Sequence, residues 1–282
     1  MRNEIVAVIG TRGFGLPCAR RLGGGRRLLI GDVSPEILEN AAATLTAEGY
    51  DVSTCLIDVA ERDSVRAFAS KAAELGPLKT FVVTAGLSPH MASPERIFAV
   101  NMLGPIEILD AFQPLAVEGT VGVVIASNAA YMAPIPAEVE RDLALAAPPA
   151  LLESVRKVPG ADTGLGAYWL AKRSNQLRVE VLAPVWGKLG ARLVTVSPGL
   201  ISTAMVTFER QAGSPIDEGI AGTPAGRIGV PEDIAAAVAW LAGPEASYIT
   251  GTDLLIDGGM TSSLRWTDFR TQDPRSRNLQ VP

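Results

Sequence analysis

Histidine is almost missing from this chain of 282 residues: His90 is the one copy, and cysteine occurs twice, at Cys18 and Cys55. A single histidine cannot build a histidine-based metal cluster, so no metal is expected. Two cysteines in apolar surroundings read as buried thiols of a reducing compartment rather than as a disulfide framework. Long apolar runs are also lacking. None reaches the roughly 18 residues of a membrane-spanning helix, so no membrane partner is expected. Basic residues are outnumbered, 25 against 30 acidic, for a net charge of −5. A nucleic-acid partner would favour a basic surface, so none is expected. Met1-Arg2-Asn3-Glu4 runs straight into an apolar stretch and leaves no room for a signal peptide, which points to the cytoplasm. What the chain does have is apolar bulk, 48% of its residues. Its length suits one large α/β domain or two small ones.

Residues 4–10 are short, apolar and rich in β-branched side chains, the pattern of a buried parallel strand. Gly10-Thr11-Arg12-Gly13-Phe14-Gly15 follows, and then a helical pattern that tolerates Pro17 in its first turn. Strand, glycine turn and helix together make a phosphate cradle. The glycines let the backbone approach a pyrophosphate, and the helix N-terminus faces it. An ordinary tight strand-to-helix turn has the same local signature.

The next strand, 27–32, ends on Asp32, 17 residues beyond Gly15. That is close to where a dinucleotide fold places a carboxylate on the adenosine ribose, with Val33 beside it. A carboxylate there accepts from the ribose hydroxyls and repels a 2′-phosphate, so NAD is expected over NADP. Two observations leave this open. Asp32 is also a candidate cap for the following helix, although Ser34 is the better one. Arg12 in the glycine turn has the charge to meet an additional phosphate.

Further strands are expected at 52–56, 80–84 and 120–126. The first leads to Asp58-Val59, where Asp58 either meets an adenine amino group or starts a helix. The second ends in Ala85-Gly86, small enough for a ligand to come close. The third delivers Ser127 at a strand's C-terminal end, where open α/β sheets place their ligands. His90 reads as an exposed residue of the loop 87–94. The spacing predicts one long helix over 94–115 that includes Asn101, a residue of modest helix propensity.

Tyr168 and Lys172 stand four residues apart, on one face of a predicted helix. An ammonium beside a phenol favours the phenolate and lowers a pKa that is ordinarily about 10. A tyrosine so tuned can exchange a proton near neutral pH.

In this order, the glycine turn, Asp32, Asp58-Val59, Ala85-Gly86, Asn101, Ser127 and Tyr168-x-x-x-Lys172 resemble the short-chain dehydrogenases/reductases. Ser197-Pro198-Gly199-Leu200-Ile201-Ser202-Thr203 looks like that family's nicotinamide-side segment. Residues 226–235, 248–251 and 257–259 look like its closing helix and last strand. The resemblance spans about residues 4–260. It implies a single-domain α/β Rossmann fold over 1–260, a doubly wound parallel sheet of about seven strands, and a homodimer or homotetramer. It also implies a cofactor site of Gly10, Thr11, Arg12, Gly13, Phe14, Gly15, Asp32, Val33, Asp58, Val59, Ala85, Gly86, Tyr168, Lys172, Pro198, Gly199, Ile201 and Thr203.

The reaction implied is reversible hydride transfer between NAD and a secondary alcohol or ketone. Tyr168 would be the general acid/base and Ser127 a donor to the substrate oxygen. Lys172 would lower the Tyr168 pKa and hold the nicotinamide ribose, and Asn101 would support a water-linked relay. A regulatory NAD(H)-binding protein would share the glycine turn and Asp32 without needing Ser127, Tyr168 and Lys172 together. A nucleotide-sugar epimerase would use the Tyr/Lys pair with a larger substrate domain.

The chain departs from the family pattern in four places. The usual Gly-x-x-x-Gly-x-Gly is one residue shorter here, which puts the contacts of Thr11 and Arg12 in question. The usual Asn-Asn-Ala-Gly is Val83-Thr84-Ala85-Gly86, with Thr84 in place of a structural asparagine. Ser127 and Tyr168 stand 41 positions apart rather than a dozen or so, which makes about 132–163 an insertion. Within it, Met132-Ala133-Pro134-Ile135-Pro136 is a breaker cluster, and 137–145 and 150–158 have helical composition. The insertion resembles that of the 3α-hydroxysteroid dehydrogenase/carbonyl reductase branch. It is expected to form a helical lid or an oligomer contact. Its apolar Met132, Ile135, Leu143, Leu145, Leu151 and Leu152 point to a hydrophobic, steroid- or terpenoid-like substrate, or else to packing within the lid. The fourth departure, Pro184, is expected to kink the Tyr168 helix. The polar extension 261–282 is expected to drape over a partner subunit or stay disordered.

Overall fold

The computed structural model describes the backbone of residues 3–132 and 135–272, with side chains through Trp266. Alternation of strand and helix dominates the chain. In order it forms β1 (Ile5–Ile9), α1 (Gly15–Leu22), β2 (Arg27–Asp32), α2 (Pro35–Ala47), β3 (Asp51–Leu56), α3 (Arg62–Leu75) and β4 (Leu78–Val83). Next come α4 (Pro94–Phe98), a π-helical turn (Ala99–Leu103), α5 (Gly104–Phe112) and β5 (Val121–Ile125). Then follow α6 (Ala137–Leu145), α7 (Pro148–Val155), α8 (Gly164–Gly187) and β6 (Arg192–Pro198). Finally there are α9 (Ala204–Gln211), α10 (Ile216–Ala221), α11 (Pro231–Ala242), β7 (Thr252–Ile256) and α12 (Met260–Gln272).

The seven strands form one sheet, ordered β3-β2-β1-β4-β5-β6-β7, with every pairing parallel. The expected Rossmann architecture is therefore present. Helices cover both faces of the sheet, and the period of two along β1 divides the core between them. Ile5, Ala7 and Ile9 pack toward α3, α5 and α8, where Phe68, Phe112 and Trp186 fill the layer. Val6 and Val8 pack toward α1, α2 and α11, against Cys18, Leu45 and Val238.

The insertion adds a third, smaller core. Val139 and Leu143 of α6, and Leu151 and Val155 of α7, pack with Ile97, Phe98 and Met102 and with Leu170 and Leu177 of α8. Polar ties reinforce the packing. Ser174 Oγ and Arg178 Nε both donate to the Leu143 carbonyl at 3.1 and 2.8 Å, Arg178 also donates to the Ala146 carbonyl, and Arg173 pairs with Glu140 at 2.7 Å. The Arg178 contacts satisfy carbonyls that the end of α6 leaves unpaired.

The structure differs from sequence expectation in four places. The predicted helix over 94–115 is helical throughout, but it winds as a π-helical turn over Ala99–Leu103 and closes in a short 3₁₀ turn (Gln113–Leu115). α8 runs through Pro184 to Gly187, so the proline lies in its last turn and only Val185, Trp186 and Gly187 of the helix follow it. Leu143 and Leu151 are fully buried in packing and Leu145 is 61% exposed, so these three say nothing about substrate polarity. The extension beyond 260 begins as helix α12, while 273–282 lie outside the described residues, as do Ala133 and Pro134 of the breaker cluster.

Candidate active site

The strand order reverses between β1 and β4, and the loops leaving these two strands press together. Gly10 has φ +93, and a Cβ on it would lie 2.6 Å from Ala85 N. A Cβ on Gly15 would fall 1.9 Å from the Gly10 carbonyl, so the first turn of α1 tolerates no side chain there. The Thr84 hydroxyl donates to the Gly10 carbonyl at 2.6 Å and so pins the two loops.

The shortened glycine turn has its own anchor. Thr11 N and Thr11 Oγ1 both donate to Asp32 Oδ2 at 2.9 Å, and Ser34 N donates to Asp32 Oδ1 at 3.1 Å. Ser34 itself caps α2 by accepting from Ile37 N. Asp32 is thus 8% exposed at the end of β2 and already holds the turn in place, while Val33 beside it is 62% exposed. A Cβ on Gly13 would lie 3.7 Å from Thr203 Cγ2, so the glycine turn faces the segment that follows β6 across a narrow gap. There Gly199 N donates to the Ile256 carbonyl, Ile201 bridges to Gly229, and Thr203 caps α9.

A glycine trench that would clash with any side chain, with a carboxylate at one end and the Pro198–Thr203 segment at the other, fits a dinucleotide. Two of the expected contact residues have partners within the protein. Val59 is buried against Gly104 in the core, and Asp58 accepts from Ala60 N and pairs with Arg96 at 2.8 Å.

Asn101 sits in the π-helical turn, fully buried. Its Oδ1 accepts from Leu87 N and its Nδ2 donates to the Leu87 carbonyl, both at 2.8 Å. The side chain thus pairs with the loop as a strand neighbour would. A Cβ on Gly86 would lie 3.4 Å from Asn101 Oδ1 and 3.6 Å from Lys172 Nζ, so the glycine keeps this corner open. Lys172 is 5% exposed and donates to the Ile125 carbonyl at the end of β5 at 2.9 Å.

Ser127 follows directly after β5. Its hydroxyl accepts from Ala129 N at 3.2 Å, and it is close enough to the Tyr168 phenol to pull that phenol's pKa down. Lys172 Nζ stands 5.7 Å from the Tyr168 ring centre. Four side chains far apart in the chain, Asn101, Ser127, Tyr168 and Lys172, are therefore gathered at the C-terminal edge of β4 and β5.

The electrostatics of the site run against the sequence expectation. Burial raises the Tyr168 phenol; the nearby Ser127 hydroxyl pulls it down and a carboxylate, Glu209, pushes it further up. Burial also lowers Lys172, to about 8. The ammonium beside the phenol does not by itself outweigh desolvation.

Glu209 was not foreseen. It lies in α9, 8% exposed, and accepts from His90 N and Nδ1 and from Ser214 Oγ. Nothing in the local sequence separates it from the solvent-facing acids nearby, because its partner His90 is 119 positions away. A second unforeseen group is Tyr131, whose hydroxyl donates to Asp253 at 2.6 Å; burial and that carboxylate raise its pKa. A cavity of about 250 Å³, lined by Leu200, Ile201, Arg227, Asp233 and Asp257, lies on the flank of the Pro198–Thr203 segment and does not include Tyr168.

Comparison with known proteins agrees with this geometry. Residues 4–137 match the family model described as short chain dehydrogenase, and 149–261 match that described as Enoyl-(Acyl carrier protein) reductase. The chain is 34% identical over 274 residues to the short-chain dehydrogenase/reductase bsc3 of Alternaria brassicicola, covering 94% of this chain and 98% of that protein. It belongs to the short-chain dehydrogenase/reductase family.

Within that family it is 32% identical to the 3-alpha-hydroxysteroid dehydrogenase/carbonyl reductase of Comamonas testosteroni, over 67% of this chain and 74% of that one. Among solved structures, a dehydrogenase/reductase from Sinorhizobium meliloti 1021 superposes with a TM-score of 0.74 at 25% identity, covering 92% of this chain and 96% of the other. The short-chain dehydrogenases/reductases are nicotinamide-dinucleotide-dependent oxidoreductases acting on CH–OH groups. The two family models leave 138–148 between them, which is α6 and the start of α7.

Proposed function

We propose that this short-chain dehydrogenase/reductase interconverts a hydrophobic secondary alcohol and its ketone, using NAD(H), with Tyr168 as the general acid/base. The observation that carries the proposal is Lys172 Nζ 5.7 Å from the Tyr168 ring, with Ser127 beside the same phenol at the end of β5. When bound, the dinucleotide supplies the hydride acceptor or donor. The chain's own groups handle the proton. In the oxidising direction the Tyr168 phenolate takes the hydroxyl proton as the C–H bond gives up its hydride. In the reducing direction the phenol protonates the carbonyl oxygen. Ser127 donates to the same oxygen and stabilises the charge that develops on it. Lys172, charged below about pH 8, would favour the phenolate and hold the ribose hydroxyls of a bound cofactor. Asn101 fixes the Leu87 loop and keeps the Lys172 corner in shape.

The NAD reading rests on Asp32, whose carboxylate ends β2 and would repel a 2′-phosphate. The hydrophobic substrate class has two supports. One is the Comamonas relative, whose name states a steroid substrate. The other is the exposure of Met91, Leu165 and Phe208, at 42%, 47% and 41%, in the loop after β4, at the start of α8 and in α9. A steroid- or terpenoid-like alcohol suits such a mouth.

The test uses a panel of cyclic secondary alcohols and ketones with Tyr168→Phe and the parent protein. Turnover should fall by about 10²–10⁴-fold in the variant, with NADH affinity by fluorescence titration nearly unchanged. Substantial residual turnover would remove Tyr168 from its role. A parent protein that binds NADH and turns over nothing would favour a regulatory NAD(H)-binding protein. Tighter binding of NADPH than NADH would overturn the reading of Asp32.

A further inference from the structure

Three contacts fix the loop between β4 and α4 in turn. Leu87 is held at both backbone atoms by Asn101. The Pro89 carbonyl lies over the start of α8, where a Cβ on Gly164 would come within 2.0 Å of it. His90 then reaches α9: its N donates to Glu209 Oε1 at 3.1 Å, and its Nδ1 stands 2.7 Å from Glu209 Oε2. The loop thus joins the Lys172 corner, the Tyr168 helix and the α9–α10 flap.

The flap has little else to hold it. Glu209 is the one buried residue of α9, and Ile216 the one buried residue of α10. A helix whose buried side chain is an acid is not anchored by apolar packing. Burial on its own would raise the Glu209 carboxyl, but the donors around it, Ser88, His90 and Ser214, outweigh that and hold it low. Ser88 approaches without a bond of good geometry, so His90 and Ser214 carry the contact. Ser214 lies in the turn between α9 and α10, so the carboxylate ties both halves of the flap to the loop. An ionised carboxylate so fully engaged is not free to act as a base.

We propose that His90 and Glu209 form a clasp that holds the flap, residues 204–221, against the Leu87–Ser93 loop and so shapes the substrate side of the Tyr168 site. Both are positioning residues: they act through the flap and do not touch the reacting atoms. The inference rests on the reading of Tyr168 as the acid/base. The clasp survives loss of the imidazole charge, because a neutral ring with the proton on Nδ1 also donates to the carboxylate. Its removal should weaken substrate binding and leave the chemical step largely intact, which raises KM more than it lowers kcat.

Two measurements on the full-length protein test this: hydrogen exchange of amides 204–221 without cofactor, and steady-state kinetics with an alcohol or ketone that the parent turns over. In His90→Ala, exchange across 204–221 should quicken about tenfold or more, in line with loss of one charge-assisted hydrogen bond. KM should rise by a similar factor while kcat changes little and NADH affinity holds. His90→Gln keeps a side-chain donor and should recover most of both effects. Glu209→Gln keeps the shape of the acid and should fall between, which covers the case of an alanine variant that does not fold. Unchanged exchange across 204–221 in both His90→Ala and Glu209→Gln would overturn the clasp, and so would a loss confined to kcat. If the parent turns over nothing on the panel, the reading of the reaction fails, while the exchange comparison still decides whether His90 and Glu209 hold the flap.

Discussion

Asp32 shows how one side chain can hold two positions in balance. Its Oδ2 takes two donors from Thr11 and its Oδ1 takes Ser34 N, so the carboxylate organises the glycine turn before any cofactor arrives. A turn one residue short leaves less chain to wrap a pyrophosphate, and the two Thr11 bonds to Asp32 fix the course it takes. Thr11→Val keeps the shape and the backbone donor but removes the hydroxyl. A buried acceptor that loses one partner costs about 1–3 kcal/mol, so NADH affinity should drop by up to roughly tenfold as the turn loosens. Fluorescence titration of the variant decides it; tighter NADH binding would mean that the Thr11 hydroxyl competes with the ribose for Asp32. The position of Asp32 was legible in the sequence because strand length and glycine spacing fix it. Its bond to Thr11 was not, because the residue count of a loop does not say which way a threonine turns. Glu209 escaped for a related reason: a lone acid in a short helix carries no spacing signal, and only the fold brings His90 to it.

Among the elements, those of the sheet could be read in advance. β1, β2, β4 and β5 are runs of β-branched and aliphatic residues closed by glycine, aspartate or serine, and each is followed by a helical period. Neither the π-helical turn around Asn101 nor the break between α5 and its closing 3₁₀ turn could be read, since a one-residue shift in helical hydrogen bonding barely alters hydrophobic spacing. The insertion is a mixed case. Its helices and the Pro148-Pro149 break were visible, but which way its leucines pointed was not. They point inward: Leu143 meets α8 and the residues around Met102 with no exposure at all. Leu143→Ala should therefore cost about 2–5 kcal/mol, read as a lower denaturant midpoint. NADH binding should persist, because the glycine trench lies on other elements. If Leu143→Ala left stability untouched and instead altered only substrate preference, the side chain would belong to a substrate cavity and not to the third core.

At the scale of the whole molecule, the fold buries a charge that its own stability does not favour. Lys172 is 5% exposed, holds the Ile125 carbonyl, and is pushed down to about 8 by burial. Its pKa in the unfolded chain is about 10.5. Below pH 8 the amine is charged in both states, and the folded state bears the full cost of desolvating it. Between 8 and 10.5 the unfolded chain binds more protons than the folded one, so this group's contribution to stability rises with pH across that window. Cys18 runs the other way: burial pushes its thiol up to about 12 from 9.0, so its contribution is intact below 9 and is lost as pH climbs toward 12. A comparison that removes only the lysine cancels the cysteine. Lys172→Met keeps the length of the side chain and drops the charge. Its stability advantage over the parent, measured by urea unfolding without cofactor, should shrink by about 2 kcal/mol between pH 7 and pH 9.5. A difference that stays flat with pH would mean that the amine titrates as in water and that the site is wetter than its packing indicates. A slope of the expected sign would show stability given up to keep a cation beside Tyr168, which makes sense only for a residue whose charge is used.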